Sequence, residues 1–346
     1  MRLGLIGATG VVGATLLHVL EERRVPVDDL RAYASRDRDV KVRFRDREFP
    51  VFAATVERLR ADANDVVVFA SSDDASAELA RAVVDAGAIV VDNSSTFRLD
   101  PSCPLVIPEV NPDAIRPEHR IFPVGNCTAI ILCMALAPVA KLAGLRSVRV
   151  ATYQAVSGAG RAGLETLEIE ERGGQPNGTF AAPIFHNVVP QVGAFDAFGD
   201  CGEEKKVALE TRKVLGLPGL HVAATTVRVP VRRAHSEAVF FETLRPVTRE
   251  ELARAFDAAP GIVYRADGIV TPLDVENSDD VYVARLRPEA DSVREEGLPS
   301  THFQMWIVGD QLRKGAATNG VQIIELLLEK GLLRPSTPLG TGARAS

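Results

Sequence analysis

The stretch "RLGLIGATGVVGATLLHVLEER", residues 2 to 23, restricts the fold of this chain more than any other. An apolar run short enough to be a buried strand meets glycines at positions 7, 10 and 13, and Leu16, Leu17 and Leu20 then recur at helical spacing. Strand, glycine turn and helix in that order make the phosphate-binding start of a dinucleotide fold. Glycine lets the backbone approach a pyrophosphate, and the helix N-terminus supplies unpaired N–H groups and a positive dipole end. The spacing is GxxGxxG rather than the commoner GxGxxG, so the flanking strand and helix carry the reading more than the glycines do.

Further strands are predicted at Leu30 to Ser35, Val66 to Ala70 and Ala88 to Asp92, with "DASAELARAVVDAG" as a helix between the last two. Alternating strands and helices imply an α/β, doubly wound, Rossmann-like parallel sheet. An NAD site would usually place an acidic residue at the end of the second strand. Here "ASRDRDVK" offers Ser35 with Arg36 or Arg38, which suits the 2′-phosphate of NADP. After residue 145 the pattern changes to antiparallel-looking strands, "SVRVATYQAV", "HVAATTVRVPV" and "SEAVFFETLRPV", interleaved with helices such as "EEKKVALETRKVLG". This predicts an α+β catalytic and dimerisation domain on a mixed sheet. "ERGGQPNGTFAAPIFHNVVPQVG" reads as an irregular excursion that covers a site or meets a partner subunit. In "GAATNGVQIIELLLEKG" Val321, Ile324 and Leu328 share one helical face, expected to pack back on the first domain. The expected division is 1–125 for the NADP-binding domain, completed by a helix at about 313–334, then 126–312 for the catalytic domain. Residues 335–346 lack core-forming content and are expected to be a mobile tail.

Composition removes several classes. The chain has 346 residues, 46% hydrophobic and 25% charged, enough for two cores, and a net charge of -6 without a basic stripe gives no footprint for nucleic acid. The longest apolar run, Ala129 to Ala140, carries Pro138 and is shorter than the roughly 20 residues that span a bilayer. No membrane partner is expected, and the N-terminus, without secretory features, points to the cytoplasm. Cys103, Cys127, Cys133 and Cys201 show neither CxxC pairs nor histidine spacing suited to zinc, so no metal is expected.

In "GNCTAI" a cysteine stands just ahead of an apolar helical run. The helix dipole and unpaired amides there favour thiolate over thiol, so Cys127 could be a nucleophile. Free cysteine is also a common buried hydrophobe, as expected of Cys133, and on Cys127 alone the two readings are level. "TYQAVSGAG" puts Gln154 before a glycine loop, and "RVPVRRAHSE" puts Arg228 and His235 seven residues apart. A thiolate attacking a carbonyl needs such a histidine and donors for the oxyanion, although position alone does not choose among the six histidines.

Taken together, "GATGVVG", "VVDNSSTFR", "GNCTA", "TYQAVSGAG", "EEKK", "TTVRVPVRRAHSE" and "VGDQLRKGAATN" resemble, in order and across almost the whole chain, the aspartate-β-semialdehyde dehydrogenase family. The resemblance implies a homodimeric NADP-dependent enzyme that reductively dephosphorylates L-aspartyl-4-phosphate on the route to lysine, threonine and methionine. It makes Cys127 the nucleophile, Gln154 the residue that orients the acyl intermediate and His235 the acid/base catalyst. Arg228 would bind the substrate α-carboxylate, Glu204 the α-ammonium group unless Glu203 does, and Arg98 and Lys206 the phosphate, with Asn126 nearby. Gly7, Thr9, Gly10, Val11 and Val12 match the cofactor loop; Ser157, Gly158 and Asn319 are further cofactor candidates. The small-molecule partners so implied are the substrate and inorganic phosphate. Cys127 would attack the acyl phosphate, the resulting thioester would be reduced, and His235 would assist collapse to the aldehyde. Alternatives are an N-acetyl-γ-glutamyl-phosphate reductase, which shares the chemistry, and a non-catalytic NADP-binding paralogue.

Overall fold

A computed structural model describes residues 1–289 and 297–333; the tail expected at 335–346 lies outside the described residues. The first half runs β1 (Arg2–Ile6), α1 (Val11–Glu22), β2 (Asp29–Ala34), β3 (Arg38–Phe44), β4 (Arg47–Ala53), α2 (Val56–Ala61), β5 (Val66–Phe69), α3 (Asp73–Asp85), β6 (Ile89–Asp92) and β7 (Ile121–Pro123). The strands form a sheet in the order β3-β4-β2-β1-β5-β6-β7, parallel except at the β3–β4 hairpin. β5 and β6 are buried along their whole length, as strands covered on both faces must be.

The second half begins with α4 (Cys127–Ala143) and continues with β8 (Leu145–Gln154), α5 (Gly160–Glu171), α6 (Gly202–Leu215), β9 (His221–Arg228), β10 (His235–Val247), α7 (Arg249–Asp257), β11 (Ile262–Arg265), α8 (Pro272–Val275), β12 (Val281–Pro288), β13 (Ser300–Gly309) and α9 (Thr318–Glu329). Its sheet has the order β11-β12-β13-β10-β8-β9 and is mixed. β8 and β9, which look antiparallel in sequence, pair in parallel. The reason is the long crossover between them, α5, the irregular segment and α6, which returns the chain to the same end of the sheet. Between α5 and α6 the chain makes only isolated bridges, Val189 to Arg228 and Phe195 to Cys201.

α4 joins the two halves. Thr128 to Leu136 are all buried, as expected of a helix that is apolar all round. One continuous cluster runs from Leu5 and Val91 of the first sheet through Ile131 and Leu136 of α4 to Val239, Phe241 and Met305 of the second. The second sheet turns Val150, Thr152 and Gln154 of β8 and His235, Glu237 and Val239 of β10 inward, while Arg149, Tyr153 and Phe240 face out. None of the described helices is long and apolar enough to cross a membrane.

A single π turn, Arg313–Ala317, leads into α9. α9 returns to the first half as its apolar face requires: Val321 and Ile324 are fully buried, and Glu325 pairs with Arg23 at 2.7 Å. Lys314, in the π turn, is fully buried and donates to Glu109 Oε2 (2.5 Å), Gln322 Oε1 (2.7 Å) and Asn319 Oδ1 (3.2 Å). Removing one member of a buried pair strands the other charge, so Lys314→Met should cost about 3 kcal/mol by denaturant unfolding. Replacing Glu109 by Leu as well should recover much of that loss. A single variant as stable as the parent would show that the pair does not hold the turn.

Candidate functional site

Asn126 caps α4, its Oδ1 accepting from the backbone N–H groups of Thr128 (3.0 Å) and Ala129 (3.1 Å). The cap is itself held by α6. Asn126 N donates to Glu210 Oε2 at 2.6 Å, and Asn126 Nδ2 donates to Glu203 Oε1 at 2.8 Å. Cys127 is therefore the first residue of a fixed helix, where the dipole favours negative charge. Behind it lies the π turn: a Cβ at Gly315 would stand 2.9 Å from Cys127 Cβ and 3.3 Å from its Cα.

His235 opens β10 and brings Nε2 to 3.5 Å from Cys127 Sγ. Its Nδ1 accepts from Ala155 N at 3.1 Å, so the neutral ring carries its proton on Nε2 and presents an N–H to the sulfur. Burial, with Arg228 as the second cause, holds His235 well below its ordinary value and keeps it neutral. Burial and then the Glu203 carboxylate push the Cys127 thiol up to about 12, against the opposing pull of Arg228, Arg98 and a Thr128 hydrogen bond. Cys127 opens on the cleft, but protein enclosing the sulfur still outweighs these cations. The resting pair is thus a thiol facing a neutral imidazole that already holds a proton on the facing nitrogen.

The thiol lies on a cleft of about 330 Å³. Arg228 reaches it from the end of β9, pinned by backbone bonds to Val189 at 2.8 and 2.9 Å and by donation from Nη1 to Ala155 O at 2.7 Å. The irregular segment thereby helps build the site. Arg98 is bound to Val124 O (2.9 Å), Asn93 O (2.8 Å) and Glu210 (3.2 Å), and Lys206 lines the same wall. Gln154 donates to Glu203 Oε1 at 3.1 Å. Cys127, Gln154, Arg98, Asn126, Lys206 and Arg228 thus line one cleft, and the buried His235 stands against the thiol.

Glu204 does not join them. Its carboxylate accepts from Cys201 N (2.8 Å) and Thr226 N (3.0 Å), capping α6 and tying it to β9. Glu203 faces the cleft instead. Positions 203, 206 and 210 share one face of α6 and 204 does not, and the packing of α6 decides which face meets α4. Glu210, which anchors both Arg98 and the α4 cap, lies on that face and was not singled out in the sequence; nor was Gly315, whose role depends on a contact between segments far apart in the chain.

The cofactor candidates divide. Gly7 has a positive φ of 85°, and a Cβ there would lie 2.1 Å from Ala70 O; one at Gly13 would lie 2.3 Å from Gly7 O. No side chain caps α1, which leaves its first N–H groups for an anion. Gly7, Thr9, Gly10, Val11 and Val12 therefore make a loop that fits a pyrophosphate. Val12, Ser157 and Gly158 all line the cleft, and the Ser157 hydroxyl donates to Arg232 O and accepts from Gln311 Nε2. Asn319 is turned away: it is fully buried, donating to Val106 O at 2.9 Å and accepting from Lys314, so its amide holds the π turn. Ser35 and Arg36 are exposed at the end of β2, and Asp37 accepts from Ala53 N at 2.8 Å; the side chain of Arg38 lies outside the described atoms.

Residues 2–117 match the family model described as semialdehyde dehydrogenase, NAD binding domain, and residues 136–314 match semialdehyde dehydrogenase, dimerisation domain. An aspartate-semialdehyde dehydrogenase of Aquifex aeolicus is 39% identical over 345 residues, covering 96% of this chain and 99% of that one. A second, from Synechocystis, is 37% identical over 343 residues, with 96% and 99% covered. The crystal structure of aspartate semialdehyde dehydrogenase II from Vibrio cholerae, complexed with ASA, superposes with a TM-score of 0.87 at 35% identity, covering 95% of this chain and 98% of that one.

If Cys127 is the attacking group, Gly315→Ala should lower turnover about tenfold to a hundredfold with little change in the Michaelis constant, because the added methyl would press on Cys127 Cβ. Cys127→Ala should abolish turnover, whereas Cys133→Ala, inside α4, should keep most of it. Steady-state kinetics on the folded variants check all three, and full activity in Gly315→Ala would show that the turn does not position the nucleophile.

Proposed function

The chain belongs to the aspartate-semialdehyde dehydrogenase family, and from that premise we propose how its residues divide the reductive dephosphorylation of L-aspartyl-4-phosphate to aspartate 4-semialdehyde. The observation that carries the reading is Cys127 Sγ at 3.5 Å from His235 Nε2, at a helix N-terminus, in a cleft with Arg98, Lys206, Arg228 and Glu203. Arg228 binds the α-carboxylate and Glu203, in place of Glu204, the α-ammonium group. Arg98 and Lys206 hold the phosphoryl oxygens and stabilise the phosphate as it leaves. Cys127 attacks the acyl carbon to form a thioester, which Gln154 helps to orient. His235 presents Nε2–H to the sulfur and to the oxygen developing on the adjacent carbon, the donor half of an acid/base role.

The glycine loop, Gly7 to Val12, would hold NADPH, which would supply the hydride needed to reduce the thioester to the aldehyde level. Preference for NADP over NAD rests on Ser35 with Arg36 or Arg38 just after β2, where the neighbouring Asp37 carboxylate is engaged by Ala53 N–H. Residues 1–125 with the C-terminal helix form the cofactor half, and 126–312 the catalytic half. The active form is a cytoplasmic homodimer, supported by the matched dimerisation domain and by Tyr153 and Phe240, exposed on the outer face of the second sheet. An N-acetyl-γ-glutamyl-phosphate reductase is disfavoured, because an acetamido group would leave Glu203 unpaired.

The direct test gives purified protein aspartate semialdehyde, phosphate and NADP and follows reduced nicotinamide by absorbance; no signal beside an active control removes the reading. An unpaired charge in such a site costs about 2 to 5 kcal/mol, so N-acetylglutamate semialdehyde should be used at least about thirtyfold less efficiently. Glu203→Gln should weaken aspartate semialdehyde binding, whereas Glu204→Gln should lower stability by about 1 kcal/mol through the lost cap and act far less on binding. The reverse pattern would return the ammonium site to Glu204. Replacing Arg36 and Arg38 together by Ala should raise the Michaelis constant for NADP about tenfold more than that for NAD, since each charge-assisted bond to the 2′-phosphate is lost only with NADP.

A further inference from the structure

His235 cannot take the proton of Cys127 in the resting state, because Ala155 N–H occupies Nδ1 and leaves the ring proton on Nε2, toward the sulfur. Some other change must release the thiol. Glu203 lies in the same cleft, its Oε1 bound to the side chain that caps the cysteine's own helix, and it forms no ion pair among the described residues. Resting on the functional reading above, we infer that Glu203 adds to burial in keeping Cys127 protonated in the free enzyme and that the substrate's own ammonium group, on docking against Glu203, raises the share of thiolate. The S–H bond breaks, its proton passes through the cleft to solvent, and nothing is oxidised or reduced.

The groups facing the sulfur account for the sense of the switch. Arg228 from β9, Arg98 from the segment after β6 and the α4 dipole favour the thiolate, and Glu203 from α6 opposes it; Lys206 from α6 and Asp73 from α3 line the same cleft, and Glu210 of α6, bound to Asn126 N, is paired with Arg98. The π turn contributes no charge at Gly315 or Ala316, Gln154 is neutral and His235 is an uncharged donor. Neutralising Glu203 removes the carboxylate that acts beside burial, so the same cations then work against burial alone and the thiolate fraction rises. Substrates with a free α-amino group, such as aminoacyl phosphates and amino aldehydes, would therefore activate the nucleophile that attacks them, and the thiol would react more slowly with other electrophiles until one arrives.

The test is the alkylation rate of Cys127 by iodoacetamide at pH 8, read by peptide mass spectrometry on the full-length enzyme, with L-2-aminobutyrate or butyrate as probes of equal chain length. Removing a like charge close to the sulfur should raise the thiolate fraction about tenfold. That reads as about a threefold faster alkylation, because a less basic thiolate is also a weaker nucleophile. Aminobutyrate should give this gain over butyrate in the wild type. Glu203→Gln should alkylate fast without any ligand and ignore aminobutyrate, while Glu203→Asp, which keeps the charge, should stay slow. A Glu203→Gln enzyme that alkylates no faster than wild type overturns the inference; if that variant misfolds, equal rates with the two acids in the wild type overturn it. Turnover of aspartate semialdehyde by the wild type tests the functional reading separately, so an active enzyme with an unmoved thiol would sink the switch alone.

Discussion

The start of α4 is the point on which the rest of the structure depends. Four residues meet there: Asn126 caps the helix, Glu203 and Glu210 of α6 hold the cap, and Cys127 follows as the first helical residue. Because α4 is buried on every side from Thr128 to Leu136 and packs against both halves of the molecule, its N-terminus cannot shift without disturbing a common core. A nucleophile placed there inherits the rigidity of the whole helix. The arrangement also keeps the sulfur within reach of two arginines while protein surrounds it, a setting in which charges act strongly on one another.

That low-dielectric setting explains why so many ionisable groups in this protein are arranged in partnerships. Glu210 is deeply buried, and burial raises its carboxyl above the usual range, yet Arg98 at 3.2 Å and the Asn126 N–H give it a defined place. Lys314 is driven down by burial and held by Glu109, Gln322 and Asn319. Glu237, two residues after His235 and on the same face of β10, finds no hydrogen-bond partner among the described residues; burial lifts it well above the ordinary carboxylate value, so it is a neutral acid under α4. Charges that face the cleft stay exposed to a ligand, and those behind it are neutralised or paired. This sorting leaves the cleft as the place where an incoming charge changes the balance most.

Much of the site could be read residue by residue, because local motifs imply local geometry. The glycine loop needs Gly7 and Gly13 for contacts under 2.5 Å that no side chain would permit, and its flanking strand and helix are visible in the apolar spacing. Cys127 before an apolar helix, and Arg228 at the end of a strand, are likewise local facts. Three features were not legible. The parallel pairing of β8 with β9 depends on how a long crossover runs through space, the choice of Glu203 over Glu204 on which helical face meets α4, and the inward turn of Asn319 on a π turn with no clear sequence mark.

By itself the sequence determined the elements, their apolar faces and the residue types able to do the chemistry, since strand and helix periodicity, turn glycines and helix caps act over a few neighbours. The tertiary structure decided which of those groups share a cleft, which of two adjacent glutamates faces the thiol, and which nitrogen of His235 carries the proton. Each of these depends on contacts between segments that lie 77 to 108 residues apart, from Asn126 to Glu203, from Ala155 to His235 and from Cys127 to His235. At such separations side-chain orientation and burial are set by packing, and packing rather than residue type fixes the charge and proton position from which the reaction begins.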